Sequence, residues 1–258
     1  MSKPCVIPNF LYNVGMNLGD LKLQTIGIYK ERFGKIFCFV DYGNVNYWYE
    51  NDERDWDGNT LAKGYKLFVD IEKLADFILG FADQKRFYYG WNPRKKQNWH
   101  IAIKAEKCGF IKNTKPMQFI KHYLSDGEHA EDGFNNSEIK KDTAGKAYIE
   151  IPKSNFDVEI SVDALRSLEK YDTFCLFSGD SDFAYLAQYL KKKGKKIIVV
   201  ASGQVFHTLK ELADLYINAQ DIKANITSIK KTTPREGRSL DIGSVSDGQG
   251  SGKATVKV

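Results

Sequence analysis

The sequence has no long apolar run, few cysteines and no histidine cluster, and each absence excludes a class of protein. Across 258 residues, no apolar run approaches the roughly 18–20 residues of a membrane span, so we expect no membrane partner. The first residues lack the charged-then-apolar pattern of a signal peptide, which predicts a cytoplasmic protein. The four cysteines form no CxxC pair and the four histidines have no metal-site spacing, which argues against a disulfide scaffold or a zinc site.

Cysteine placement and net charge give weaker information. Cys38 and Cys175 lie in strand-like runs and are expected to be small buried hydrophobic residues of a reduced protein. The net charge is +5, but the residues from Lys223 onward contain seven basic and three acidic side chains. Because most of the excess charge lies there, the whole-chain charge is a weak argument for a polyanionic partner.

Short apolar runs alternate with segments of helical spacing along the chain. The strand-like runs are residues 36–40, 87–90, 110–112, 174–177 and 197–200. The helical segments are residues 65–80, 99–108, 183–190 and 207–212. This alternation predicts βαβ units, and therefore an α/β fold around a mostly parallel sheet.

Composition divides the chain into three parts. We predict an N-terminal extension over 1–33, one domain over 34–222, and a flexible, basic, Gly/Ser-rich tail over 223–258. Two stretches within the domain, 45–62 and 115–152, have the composition of insertions. The second is expected to be a flap or hairpin, and it would serve equally well as an intersubunit arm in a homo-oligomer.

Two of the most apolar strand-like runs end in acidic residues. The run IFCFV is followed by Asp41, and FCLFSG is followed by Asp180 and Asp182. Ligands of doubly wound sheets bind beyond the carboxyl ends of the strands, so these side chains are expected at one edge. Two carboxylates about 4 Å apart repel by roughly 4 kcal/mol at an effective dielectric near 20, and a divalent cation would turn this repulsion into attraction.

Helical geometry adds a third acid. In DVEISVDALRSL the apolar residues form a broad arc at about 100° per residue, and Asp157 projects into its middle. Asp163 projects the other way, beside Glu159 and Arg166, so geometry alone predicts a solvated side chain.

Each acid also has a structural interpretation. Asp180 or Asp182 could cap the following helix, Asp41 could be a turn residue, and Asp157 could satisfy the helix dipole. The convergence of independent acids on one edge favours a functional site. A cluster of oxygen ligands without histidine suits Mg²⁺ or Mn²⁺ and not Zn²⁺.

Several segments together resemble the NYN domain, a PIN-like ribonuclease family that includes LabA-like proteins. They are DYGN at 41–44, FDVEISVDAL at 156–165 and LFSGDSDFAYLAQYLKKKGKKIIVV at 176–200. The piece from FYYGWN to GFIKNTK resembles the second strand, helix and third strand of the family. The resemblance covers about residues 34–222, and the SGDSDF block is its most specific part.

The resemblance implies a Rossmann-like three-layer α/β/α domain with a central five-stranded sheet in an order near 3-2-1-4-5. It also implies metal-dependent phosphodiester hydrolysis by an endoribonuclease that acts on RNA through a Mg²⁺ or Mn²⁺ site. Carried over by position, the catalytic residues are Asp41, Asn44, Asp157, Ser178, Asp180 and Asp182. The four aspartates of this set are the expected metal ligands. Asp163 also matches a family acid, which conflicts with its predicted solvated position. It is therefore a second-tier candidate for the site.

A stretch after the second strand combines cations and aromatic rings, as proteins that bind single-stranded RNA do. Its candidate RNA contacts are Arg94, Lys95, Lys96 and Trp99. The alternative is that these basic side chains only lie on a solvent-exposed loop and do not contact RNA. The expected RNA is single-stranded or structured.

Two other functions remain open from the residues. A non-catalytic RNA-binding or interaction module would keep the fold without using the acids. A glycosyl or phosphoryl transferase would use Asp180 and Asp182 as a DxD metal site, but it leaves Asp41 and Asp157 unexplained.

Overall fold

The structure, a computed structural model, describes residues 23–94, 99–124, 139–203 and 207–232. The strands of these segments are β1 (Ile36–Asp41), β2 (Tyr65–Val69), β3 (Gln84–Trp91), β4 (Ile111–Pro116), β5 (Gln118–Tyr123), β6 (Lys140–Lys141), β7 (Ala147–Lys153), β8 (Thr173–Phe177), β9 (Lys196–Ala201), β10 (Leu215–Asn218) and β11 (Thr227–Lys231). The α-helices are α1 (Lys30–Phe33), α2 (Tyr42–Val45), α3 (Ile71–Leu79), α4 (Trp99–Lys107), α5 (Asp157–Arg166), α6 (Ala184–Lys192), α7 (His207–Leu212) and α8 (Lys223–Ile226).

The central sheet has six strands in the order β10-β9-β8-β1-β3-β4, and every neighbouring pair is parallel. Numbered along the chain within this sheet, the order is 3-2-1-4-5-6. The α/β class and the predicted order are therefore confirmed, but the predicted count of five strands is wrong. The sixth strand, β10, is a four-residue edge strand that is too short to stand out as an apolar run.

Helices cover both faces of the central sheet, which explains why its strands are apolar throughout. On β1, Phe37 and Phe39 belong to one apolar core, whereas Cys38 and Val40 belong to the other. Helices α3, α4 and α8 pack on the side of Cys38, and α5, α6 and α7 pack on the side of Phe39. Cys38 and its strand neighbour Cys175 are both fully buried, as predicted.

The region predicted as the second insertion contains a separate antiparallel sheet in the order β5-β7-β6. Strand β5 begins two residues after β4 ends, and the intervening Met117 N–H donates to Trp91 O over 2.9 Å. Strand β7 ends four residues before Asp157. This second sheet is therefore attached at the carboxyl edge of the central sheet. Residues 125–138 of the predicted insertion lie outside the described residues.

The predicted helix over 65–80 begins as a strand. Leu67 and Val69 are buried with the period of two that is typical of strands, and the helix starts only at Ile71. Asp70 sets this start, because its Oδ1 accepts a hydrogen bond from the Glu72 N–H over 3.0 Å. The period-two signal extends over only five residues, so the longer helical pattern that follows obscured it.

Strand β2 pairs antiparallel with β11, which corrects the predicted start of the tail. Ile226 and Thr227 are fully buried, and residues 223–231 are helix and strand. The prediction of a flexible tail from residue 223 is therefore wrong for 223–232, and residues 233–258 lie outside the described part of the chain.

Segments outside the predicted domain core also contribute to the apolar interior. Ile28 and Phe33 from the N-terminal extension are buried. Tyr49, from the stretch predicted as the first insertion, is buried and donates its hydroxyl hydrogen to Ala219 O over 2.5 Å. In the described residues, no helix combines the length and the apolar character needed to cross a membrane.

Candidate active site

Asp41 is the last residue of β1 and lies at the carboxyl edge of the sheet. Burial, opposed by a hydrogen bond from the Asn44 N–H and reinforced by the nearby charges of Asp157 and Asp180, raises the pKa of Asp41 to about 7. A carboxylate that is held there in its charged form therefore needs a compensating cation.

The loops that follow β1 and β8 are joined by polar side chains. Ser178 is fully buried, and its Oγ donates to Asp41 Oδ2 over 3.4 Å and accepts from the Asp180 N–H over 3.3 Å. Asn44 Oδ1 accepts from the Gly179 N–H over 3.3 Å and from Trp48 Nε1 over 2.9 Å. Ser178 and Asn44 thus connect the two strand ends that carry the acids.

Asp180 combines the two roles that the sequence left as alternatives. Its Oδ1 accepts a hydrogen bond from the Asp182 N–H over 3.0 Å and so caps the short 3₁₀ turn Ser181–Phe183. The carboxylate has a second oxygen, Oδ2, that the cap does not use. Capping and membership of an acidic cluster are therefore compatible at this residue.

Asp157 begins α5 and completes the group. Burial and the charges of Asp180 and Asp182 raise the pKa of Asp157, and a hydrogen bond from the Asn155 side chain and the charge of Lys115 oppose that rise. Asn155 Oδ1 also accepts from the Asp157 N–H over 2.7 Å, which fixes the entry to the helix.

Asp157, Asp180 and Asp182 each offer one carboxylate oxygen, and these oxygens all lie within 4.8 Å of one another. Asp41 is close enough to Asp157 and Asp180 for both charges to raise its pKa. Four carboxylates and no thiolate or imidazole make up this set, which fits a hard, oxygen-preferring cation such as Mg²⁺ or Mn²⁺. The structure brings together the six residues of the predicted catalytic set.

Asp163 lies apart from this group, and it is not solvated as helical geometry predicted. Its Oδ2 lies 3.1 Å from Arg86 Nη1 and accepts a hydrogen bond from the Tyr88 hydroxyl over 2.8 Å. The side chains of Asp163 and Arg86 are only 19% and 18% exposed. The prediction was wrong because Arg86 and Tyr88 lie on β3, about 75 residues earlier in the chain, where a helical projection cannot place them.

The apolar arc predicted on α5 is also narrower than expected. Ile160 and Ala164 are fully buried on the side of Asp157, whereas Val158, Val162 and Leu165 are exposed. Helix α5 thus contacts the protein along a strip one or two residues wide, and Asp157 lies at the end of this strip.

Lys115 was missed by the sequence analysis. It lies near the end of β4, where its Nζ is 2.6 Å from Glu159 Oε1 and 4.6 Å from the ring centre of Phe156. Its charge lowers the pKa of Asp157 and so places a cation beside the acidic cluster. Its position at the carboxyl end of a parallel strand could have identified it, since the same position identified Asp41.

The candidate RNA contacts have different surroundings. Arg94 is paired with Glu150, with 2.5 Å between Nη1 and Oε2. Trp99 is 42% exposed and meets Trp91 edge to face, with ring centres 5.6 Å apart. Lys95 and Lys96 lie outside the described residues.

The chain is similar to a known protein family, to a protein of Synechococcus elongatus and to a solved structure. The sequence matches the NYN domain family over residues 35–222. It is 33% identical over 173 residues to the low amplitude and bright protein LabA of Synechococcus elongatus, covering 63% of this chain and 91% of that protein. A solved structure of a Vibrio parahaemolyticus protein of unknown function aligns with a TM-score of 0.46 at 21% identity, over 78% of this chain and 100% of that one. The match to the NYN domain extends over most of the chain, and the chain therefore belongs to the NYN domain family.

Proposed function

We propose that this protein is a divalent-metal-dependent phosphodiesterase, and specifically an endoribonuclease that acts on single-stranded or structured RNA. The observation that carries the proposal is the convergence of Asp157, Asp180 and Asp182 at one sheet edge, with their oxygens within 4.8 Å of one another, beside the partly buried Asp41. Membership of a PIN-like nuclease family supports the same reaction class.

The proposed ligands of a Mg²⁺ or Mn²⁺ ion are Asp41, Asp157, Asp180 and Asp182. When bound, such an ion supplies electrostatic stabilisation of a phosphate in the transition state and makes a water molecule more acidic. Ser178 and Asn44 act as positioning residues, because their hydrogen bonds hold the loops that carry Asp41 and Asp180. Lys115 supplies a positive charge beside Asp157 that would favour an anionic substrate at the same edge.

Replacement of Asp180 by Asn tests the proposal with little risk to folding. Asparagine caps helix ends about as well as aspartate, so Asp180→Asn keeps the bond to the Asp182 N–H and removes the charge. We expect Mn²⁺-dependent cleavage of labelled RNA to fall by more than the roughly 10–100-fold that changes around a metal site usually cost. RNA affinity in EDTA should stay within a few-fold of wild type, because phosphates are held by cations and not by these acids.

Glu169→Gln is the matched control, since Glu169 is an exposed acid in the described structure. It should cleave RNA like the wild type, and EDTA should stop cleavage by both proteins. Wild-type activity in Asp180→Asn would move the chemistry away from this site. RNA binding without cleavage by the wild type in Mg²⁺ or Mn²⁺ would favour the non-catalytic module.

A further inference from the structure

One face of the β5-β7-β6 sheet combines aromatic rings with cations. Residues paired directly across an antiparallel sheet project to the same face, and the pairs here are Phe119–Pro152, Lys121–Glu150 and Tyr123–Tyr148. Lys140 pairs with Tyr148 from the other neighbouring strand. We call this surface the ring-and-cation face, and its members are Arg94, Phe119, Lys121, Tyr123, Lys140, Lys146 and Tyr148.

Each ring on this face is in contact with a cation. The Arg94 guanidinium lies 3.7 Å from the ring centre of Phe119. Lys121 Nζ lies 4.7 Å from the ring centre of Tyr148, and Lys146 Nζ lies 5.0 Å from that of Tyr123. Packing of the aliphatic stems on the rings holds the charged groups near the surface, where their N–H donors remain available to an anion.

The face carries an excess of positive charge. Its four cations are accompanied by two acids, Glu150 and Asp142. Glu150 binds two of the cations, Arg94 and Lys140, with 2.5 Å separating the closest atoms in each pair. In the described part of the chain, Lys121 and Lys146 make ring contacts but no ion pair. Asp142 offsets part of their charge, since the charge of Lys121 lowers the pKa of Asp142, and the remaining excess is available to a partner.

The sheet that carries this face is attached to the central sheet close to the segment of the acidic cluster. Strand β7 leads into Asp157 after only three intervening residues, and β5 follows directly on β4, the strand of Lys115. Where the two sheets meet, a Cβ added at Gly90 would collide with the Ser154 side chain, so the chain after β7 lies tightly against β3. From Phe119 to Tyr123 the face extends for about 13 Å at 3.3 Å per residue, enough for more than one nucleotide.

We infer that the ring-and-cation face binds single-stranded RNA and leads it to the carboxylate cluster, a role that rests on the proposed function. Cations that contact phosphates and flat rings that stack on bases are the combination by which proteins hold single strands. The charge excess is complementary to a polyanion, and the exposed Tyr123 ring offers a stacking surface that a base-paired duplex would not use.

The test measures binding without cleavage, on the full chain in EDTA. The probe is a labelled oligo(U) of about 12 nucleotides, within the length range of known single-strand sites. The Lys121→Gln/Lys146→Gln variant should bind at least about tenfold more weakly. The slope of the logarithm of its binding constant against the logarithm of the salt concentration should be shallower by about 1.4, because each phosphate contact on a single strand contributes about 0.7.

Lys170→Gln/Lys192→Gln is the matched control, because both lysines are exposed and lie towards the amino ends of the central strands. The stacking contribution is tested separately by Tyr123→Leu against Tyr65→Leu, two tyrosines of equal exposure at 39% and 40%. Tyr123→Leu should weaken binding at least about fivefold, and Tyr65→Leu should not.

Equal salt slopes for the two double-lysine variants would overturn the inference. So would an equal loss of affinity for a duplex of the same length, or a change in the solution molar mass of the Lys121→Gln/Lys146→Gln variant, which would assign the face to a second copy of the chain.

If the face binds oligo(U) but the wild type cleaves no RNA with Mn²⁺, the proposed function fails and this inference stands. If the wild type cleaves RNA and the Lys121→Gln/Lys146→Gln variant binds unchanged, the inference fails and the proposed function stands.

Discussion

Asp41 is a single carboxylate on which burial and neighbouring charge act in the same direction. Its pKa of about 7 compares with an ordinary value of 3.8. The hydrogen bonds from Ser178 and from the Asn44 N–H oppose this rise but do not cancel it. In the absence of a cation, the folded protein therefore favours the neutral form of Asp41 where the unfolded chain is already ionised.

This difference predicts how stability depends on pH in the metal-free protein. Between about pH 4 and pH 7, Asp41 is protonated in the folded state and ionised in the unfolded state. The free energy of unfolding of the wild type should therefore fall as the pH rises from 4 to 7. Asp41→Asn lacks this fall. Above pH 7 in EDTA it should be more stable than wild type, by at most about 4 kcal/mol.

Thermal or urea unfolding from pH 4 to pH 8 measures this effect. Asp57→Asn, at an exposed acid, serves as the control and should follow the wild type. Millimolar Mn²⁺ should stabilise the wild type and reduce or reverse the difference, because a ligand that binds only the folded state adds to its stability. Parallel pH curves for wild type and Asp41→Asn would contradict the pKa assigned to this carboxyl.

At the scale of elements, α5 depends on β3 for its position. The contacts of Asp163 with Arg86 and Tyr88 connect the middle of the helix to the strand beside β1. Arg86 Nη2 also donates to Ser167 Oγ, just beyond the helix, over 3.2 Å. Asp157 lies at the start of this same helix, so we assign Asp163 a structural role.

Asp163→Ala should lower the free energy of unfolding by about 2–3 kcal/mol, because it removes the acidic partner of a largely buried guanidinium and the acceptor of the Tyr88 hydroxyl. The melting temperature of Asp163→Ala should still rise when Mn²⁺ is added. The melting temperature of Asp180→Asn should rise much less. Glu169→Ala, at an exposed acid, is the stability control. Unchanged stability together with a lost Mn²⁺ response would instead make Asp163 a metal ligand.

At the scale of the whole molecule, the last described segment closes one apolar core. Ile222 and Ile226 are fully buried against the α3 side of the sheet, and β11 completes a two-stranded sheet with β2. Lys223 is buried as well, and its Nζ lies 2.7 Å from Asp52 Oδ2 and donates to Arg54 O over 2.8 Å. These contacts connect the end of the fold to the stretch predicted as its first insertion.

A chain that ends at residue 222 should therefore melt well below a chain that ends at residue 232. The shorter chain loses the buried Ile226 and Thr227 side chains and the pairing with β2, and loss of one large buried aliphatic side chain alone costs about 2–5 kcal/mol. Calorimetry of the two truncated proteins measures the difference. Equal midpoints would mean that residues 223–232 add no stability.

The sequence by itself determined the class of the fold and most of the candidate site. Strongly apolar runs identify buried parallel strands, and in a parallel sheet the residues that follow such strands meet at one edge. Asp41, Asp180 and Asp182 could therefore be placed together from their positions alone. The family resemblance added Asn44 and Ser178, whose hydrogen bonds join the segments that follow these two strands.

Only the tertiary structure decided the partners of Asp163 and the ring-and-cation face. Asp163 and Arg86 are far apart in the chain, and their pairing depends on how α5 crosses the sheet. The face depends on the register between β5 and β7, because a shift of one residue would send Lys121 and Tyr123 to the opposite side. Neither a helix crossing nor a strand register is encoded in local periodicity, which is why these features became visible only in the folded chain.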